Sequence, residues 1–551
     1  MSSVKEYRTK CSFCSMQDDL TLKREDSNSA VFGRDSLFRL YYDKRNGRGL
    51  CARGNFTIEI LNTPYRLREA ELFGKTTSIE EAIEDSIKEF KRMREKKNNI
   101  AILISGNHTL EEAFLAKRLS ELLNTDLLGL FPFEDEALLC IKNNLSFNEL
   151  AEADLILVVG DVFSNSPTLA KLILNARNKK RGNRLISLDI MKNKVSLFAE
   201  HLEVKPEYLS YFLTCFLDYL KGKSEFKLEE NIGISSGKAE MLEKALKNAK
   251  NGYILFSNIY GHFLRPYSIV RKLSEIANIT NAKFAVIPVG QNSLGVGRVI
   301  GNFNNANVIK ALKEKKLEGL IVLGGNPFEF IPDFEKIFGY LNFVLSTCYF
   351  KGKNSSECII PTVFSFEKEG SIISLEEKVV NLGNPIPKPG ACISSGDFVS
   401  KFLFKITGEK TKAEVKSLKP LPFREEKRER KLSSILTKEF PFYLIGIGLP
   451  YHYDGGEVTR RMKWNEGEIP YVFINSKESK KIKEEKIKVE TPNGSSFFKV
   501  ADCKLLGFEV EENMILAPVH FPEVRKLFSL EVDEDGLISV GVEKARIKID
   551  E

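Results

Sequence analysis

SIEEAIEDSIKEFKRMREKKNNIAILISG, residues 78–106, changes its hydrophobic period part-way along. The first part places apolar residues three and four apart behind a serine and two early acids, the pattern of an N-capped amphipathic helix. The IAILIS run has no polar face and predicts a strand buried on both sides. The alternation continues outward: HTLEEAFLAKRLSELL reads as helix, ADLILVVGD as strand, TLAKLILNARNKK as helix and NRLISLDI as strand. A second series runs from GYILFSNI through KFAVIPVG and GLIVLGGNP to NFVLSTCYF, after the helical connector PEYLSYFLTCFLDYLKGK. The expected fold class is therefore α/β, with two doubly wound, Rossmann-like domains in succession, residues 67–235 and 236–408. Sites in such sheets form beyond the carboxyl ends of the strands.

The flanks differ from this middle. Residues 1–66 combine cysteines and glycines with short alternating segments and predict a small β domain. Residues 409–437 are a charged linker, and residues 438–551 predict a closed β barrel from FYLIGIG, YVFIN, IKVETPNGSSFFKV, MILAPVHF and KARIKID. Three or four domains suit 551 residues, and 42% hydrophobic with 28% charged residues suits globular folding. No apolar run approaches the roughly 20 residues that cross a bilayer, so membrane association is expected only through partners. The net charge of +7 comes from 82 basic and 75 acidic residues mixed in runs such as KESKKIKEEKIK. Such runs are solvated faces, and nucleic acid is not an expected partner. MSSVKEYRTKCSFC lacks the apolar core of a secretion signal, which makes the cytoplasm the expected setting. The nine cysteines then need a reason other than disulfides.

Cys11 and Cys14 lie three apart, Asp18 follows, and Cys51 stands far downstream in GLCARGNF. Two cysteines on a tight turn hold adjacent corners of a metal cluster, and a distant third closes it. A zinc ribbon lacking its second pair, or structural cysteines, also fits this spacing. The other six cysteines sit in apolar or turn settings with no partner spacing. Gly295, Gly297 and Gly301 follow a strand, but their spacing departs from G-x-G-x-x-G.

The order of motifs resembles the molybdopterin oxidoreductase superfamily, which includes formate dehydrogenases, nitrate reductases and the large iron–sulfur subunit of complex I. The resembling segments are the Cys11–Cys14 and Cys51 motifs, RGNFTI, NTPYRL, EADLILVVGD, VGQNSLGVGRVIG, LIVLGGNP, CIIPTVFSFEKEG, YHYDGGEVTRR and PVHFPEV. The resemblance implies a [4Fe-4S] cluster on Cys11, Cys14, Asp18 and Cys51, with Asp18 standing where the family has its third cysteine. It implies electron transfer past Arg53, where relatives usually have lysine. It also implies a barrel of the double-psi type, in which His452, Gly455, Thr459, Arg460 and Arg461 are candidate cofactor-binding residues. The stretch at residues 125–140, where active formate dehydrogenases supply a metal ligand, is short and has no Cys-His pair. Asp189-Ile-Met replaces the family's Asp-Pro-Arg. The implied function is an electron-transfer subunit of a respiratory NADH dehydrogenase, partnered by ferredoxin-like or NADH-oxidising subunits and peripheral to the inner membrane. One alternative is an active formate dehydrogenase α chain holding molybdopterin guanine dinucleotide. Another is an assembly scaffold with no redox centre.

Overall fold

Ser78 accepts from the Glu81 amide while the Glu81 carboxylate accepts from the Ser78 amide, a complete capping box for the helix Ile79–Met93. Strand β6 (Ile100–Ser105) follows with every residue buried. The computed structural model describes residues 5–31, 34–41, 49–223, 232–258, 263–302, 304–415, 418–423, 434–453, 455–462, 465, 467–482, 484–532, 538–539 and 541–548.

The N-terminal strands β1 (Glu6–Lys10), β2 (Asp19–Val31) and β3 (Arg34–Tyr41) form an antiparallel sheet. A seven-stranded sheet contains β4 (Ala70–Leu72), β5 (Lys75–Thr77), β6, β7 (Leu128–Phe131), β13 (Gly319–Leu323), β14 (Phe343–Cys348) and β15 (Cys358–Pro361). Its order is β5-β4-β15-β14-β13-β6-β7, parallel except at the β4 and β5 edge. The intervening strands β8 (Leu155–Val159), β9 (Arg184–Asp189), β10 (Glu200–Glu203), β11 (Gly252–Phe256) and β12 (Lys283–Val286) form a fully parallel sheet of order β10-β9-β8-β11-β12.

Two doubly wound layers are present, but they are not consecutive. The chain starts one sheet with β6 and β7, builds the other completely, and returns for β13 to β15. The expected boundary at 235/236 falls between the adjacent strands β8 and β11, where Leu157 faces Ile254. Strands buried on both faces have the same composition in either sheet, so their sequence does not record which sheet they join.

A hairpin of β16 (Ser371–Ile373) and β17 (Val379–Asn381) lies beyond the seven-stranded sheet. The C-terminal strands β18 (Phe442–Ile447), β19 (Tyr471–Ile474), β20 (Lys486–Glu490), β21 (Ser495–Asp502), β22 (Met514–Pro518) and β25 (Val542–Lys548) close into the expected barrel, in the order β18-β22-β19-β21-β20-β25. Strands β23 (Glu531–Val532) and β24 (Ile538–Ser539) pair as a separate ribbon. The segment expected as a charged linker is docked where it is described. The Leu421 amide donates to Leu139 O at 3.1 Å, and the Ile435 amide to Glu207 at 2.9 Å. Among the described residues no helix is long and apolar enough to cross a membrane.

The small N-terminal unit is fastened by a buried ion pair. Arg66 donates to both oxygens of Glu367 at 3.1 and 2.5 Å and to Thr362 O at 2.9 Å. The two side chains are 2% and 0% exposed. Removing one partner of such a pair leaves an uncompensated buried charge, whereas replacing both by apolar groups is far milder. Glu367→Ala is expected to cost about 3–5 kcal/mol in urea unfolding. The double variant Arg66→Met/Glu367→Leu should recover most of that loss.

Candidate functional site

Residues 11–18 form the loop of the β1–β2 hairpin, closed by the Lys10–Asp19 register and by the Cys11 amide donating to Asp18 O at 2.7 Å. Gln17 adopts a left-handed conformation (φ 50°), which turns the chain back toward Asp18. Its side-chain amide donates to Gln291 O and Ile373 O at 2.8 and 2.6 Å. Gln291 in turn donates to Cys11 O at 2.6 Å, so both ends of the loop are fixed to the α/β body. Ser15 adds a bond to Pro288 O just beyond β12.

Cys11, Cys14 and Asp18 are buried, and Cys51 enters half-buried as the N-cap of the short helix Ala52–Asn55. Asp18 is therefore not a surface turn residue. Its Oδ2 accepts a hydrogen bond from the Thr168 hydroxyl at 2.8 Å, a partner with no sequence signal. A Cβ at Gly54 would stand 3.3 Å from the Leu50 side chain and 3.8 Å from Cys11 Sγ, so the helix start approaches the thiols closely.

Burial, then repulsion from Cys51 and Cys14, pushes the Cys11 thiol well above its ordinary range. Burial pushes Cys14 up to about 11 against the pull of the Arg53 guanidinium. Asp18 and Cys51 add repulsion at Cys14. Buried thiols held neutral in this way give up their protons only to a cation that binds the sulfur, and metal ions supply that charge. The described side chains gathered closely enough for one ion, within 4.8 Å of each other, are His452, Glu468 and His520, and separately Asp502, Cys503 and Glu509. The cysteine loop is not among these groups.

Arg53 is fully buried beside this loop. It donates to Asn165 O at 2.6 Å and to His452 O at 3.2 Å, with its guanidinium 5.7 Å from the Tyr453 ring centre. Asn165 stands at the carboxyl end of the five-stranded sheet, and its amide donates to Ser257 Oγ and Ile287 O. Gly160, just past β8, has φ 83°, and a Cβ there would meet Ser257 O at 2.3 Å. The cysteine loop thus covers the point between β8 and β11 where the strand order of this sheet reverses, the place where such sheets form sites.

The barrel loop supplies His452 to Arg53 but commits its other candidates elsewhere. Thr459 Oγ1 lies 3.0 Å from His452 Nδ1 and accepts the Tyr453 amide at 3.2 Å. Arg460 pairs with Glu329, while Arg461 reaches Glu457 O, Lys351 O and Glu329. A Cβ at Gly455 would stand 2.8 Å from the Arg525 guanidinium. The stretch at 125–140 places Asp135 where it accepts from the Val289 and Gly290 amides and the Ser293 hydroxyl, which ties this stretch to the loop after β12. Asp189 bonds Ile190 N and Asn193.

The sequence profile of the family described as Molybdopterin oxidoreductase matches residues 78–400, which hold the whole five-stranded sheet and the parallel strands of the seven-stranded one. This chain belongs to the molybdopterin oxidoreductase family. The cysteine loop and the barrel lie outside the matched span. The chain is 23% identical over 291 residues to a probable oxidoreductase, YjgC, of Bacillus subtilis (strain 168), covering 48% of this chain and 26% of that protein. It thus matches about a quarter of that relative's length. Acetylene hydratase from Pelobacter acetylenicus has a similar fold, with a TM-score of 0.74 at 12% identity over 99% of this chain and 100% of that one.

Glu457, in the same barrel loop, is pushed up to about 8, first by burial and then by Glu329, against Arg461 and Arg460. Its folded form holds a proton that the unfolded chain releases near pH 4.5, so its contribution to stability falls as pH rises from about 4.5 to 8. Glu457→Gln is expected to match the wild type near pH 5 and to exceed it by roughly 1–3 kcal/mol near pH 8 in denaturant titrations.

Proposed function

We propose that the chain is an electron-transfer subunit that carries one [4Fe-4S] cluster on Cys11, Cys14, Cys51 and Asp18, in a respiratory NADH dehydrogenase assembled from further subunits. The observation that carries this reading is the placing of Cys11, Cys14 and Asp18 in a buried loop over the switch point of the five-stranded sheet, with half-buried Cys51 and Arg53 against them. The donor set fits the group: a carboxylate and thiols that ionise on binding metal are iron ligands. When bound, the cluster would accept and return one electron. Around it the protein excludes water, and Arg53 places a fixed cation that favours the reduced state. Thr168 holds the Asp18 carboxylate in orientation.

A second reading, an active pterin enzyme such as a formate dehydrogenase α chain, is favoured by the family match alone. Against it stand the protein partners of Thr459, Arg460 and Arg461 and the bonds that tie Asp135 to the loop after β12. Metal analysis of anaerobically purified protein separates the two. About four irons per chain, with neither molybdenum nor tungsten, is the expected result. Stoichiometric molybdenum or tungsten with extractable pterin dinucleotide would refute the electron-transfer reading. Oxygen is the weaker iron donor, so Asp18→Cys should resist oxidative loss of one iron, while Asp18→Ala should yield a three-iron signal in electron paramagnetic resonance after mild oxidation.

A further inference from the structure

On the barrel side of Arg53, His452 and His520 are both 1% exposed. Their rings stack with centroids 3.5 Å apart and planes 8° from parallel. Glu468 directs one oxygen to both: Oε2 lies 2.9 Å from His452 Nε2 and 3.3 Å from His520 Nε2. A divalent ion bound at about 2.0–2.2 Å by two imidazoles and a carboxylate needs its ligand atoms roughly 3–3.5 Å apart. Of the separations to Glu468, 3.3 Å lies in that range and 2.9 Å just below it.

The independent observation is His520 itself. Its Nδ1 and Nε2 are buried and neither makes a hydrogen bond, the contact with Glu468 being misaligned for one. An interior imidazole in that condition calls for a partner the protein does not supply. His452, in contrast, has Thr459 Oγ1 3.0 Å from its Nδ1, the outer contact that fixes the tautomer of a ligating histidine. Tyr471 donates to Glu468 Oε1 at 3.1 Å and orients the carboxylate.

The protonation states also agree. Burial lowers both imidazoles, His520 to about 4, so both offer lone pairs at neutral pH. Burial opposes the charge on Glu468, but its bond to His452 and the nearby His520 ring hold it well below the usual carboxylate range. The facing cations, Arg460 at both histidines and Arg53 at His452, oppose an added cation. Nitrogen donors disfavour magnesium and calcium, which prefer all-oxygen sets.

We propose that His452, Glu468 and His520 bind one divalent ion of the zinc class, leaving a coordination position for solvent. The ion joins the loop that carries His452 to the segment after β22 that carries His520. Because the His452 carbonyl is an acceptor for Arg53, the ion also steadies the guanidinium beside the cysteine loop. Parallel rings cannot converge their lone pairs on one ion, so binding requires one imidazole to tilt out of the stack.

The test is zinc retention by the full chain, purified anaerobically, incubated with micromolar zinc chloride and desalted before metal analysis. One zinc per chain beyond the cluster iron is expected. Glu468→Gln and His520→Asn should each weaken zinc binding by on the order of ten-fold or more. Cys11→Ser/Cys14→Ser should lose iron yet keep this zinc, and after cobalt substitution should show visible bands from a nitrogen- and oxygen-bound ion. Failure of the wild type to retain zinc overturns the proposal whatever the variants do. So does equal retention by wild type, Glu468→Gln and His520→Asn, the mark of an adventitious ion only. Iron content tests the cluster reading separately, so the two can fail independently.

Discussion

A guanidinium cannot give up its charge, so the burial of Arg53 constrains everything around it. Its acceptors come from chain segments 112 and 399 residues away, Asn165 O at the end of the five-stranded sheet and His452 O in the barrel loop. Arg53 itself stands two residues after Cys51. One side chain therefore fixes the cysteine loop, an α/β sheet and the barrel against each other. Displacing any of the three would leave a buried cation short of acceptors, a cost of several kcal/mol. The Arg66–Glu367 pair fastens the N-terminal unit to the other sheet in the same manner.

This arrangement accounts for the chemistry the chain can support. The fold has two largely parallel sheets, which the family match covers for the most part, and a closed barrel beyond it. Within it, however, several polar groups that the family resemblance assigns to a pterin dinucleotide bond to protein. Arg460 and Arg461 face Glu329, and Thr459 faces His452 and Tyr453. The cysteine loop is organised differently: Cys11, Cys14 and Asp18 lie together in a buried place where burial and mutual repulsion disfavour thiolates that lack a cation.

Much of this was legible in the sequence, for physical reasons. The helix and strand of residues 78–106 announce themselves through period and cap, and the barrel through short strands punctuated by turns. The spacing of Cys11, Cys14 and Cys51 marked them as candidate ligands, and the family resemblance alone drew notice to Arg53. Sheet membership was not, because β8 and β13 are equally apolar and adjacency depends on packing thousands of atoms rather than on local pattern. Nor were Thr168, Asn165, Gln291 and Glu468, whose roles arise only from contacts between segments distant in the chain. His520 stood within the quoted PVHFPEV motif, but nothing there indicated that its ring stacks on His452.

The central claim is that the hairpin loop and Cys51 hold an iron cluster with an oxygen ligand at one corner. Mössbauer spectroscopy of 57Fe-enriched, anaerobically purified full-length protein tests it most directly. The account predicts a cluster spectrum in which one iron site in four is distinct, with the larger isomer shift of an oxygen-bound iron, and predicts that this site merges with the others in Asp18→Cys. A preparation without cluster iron after anaerobic reconstitution, or four equivalent thiolate-bound sites in the wild type, would contradict it.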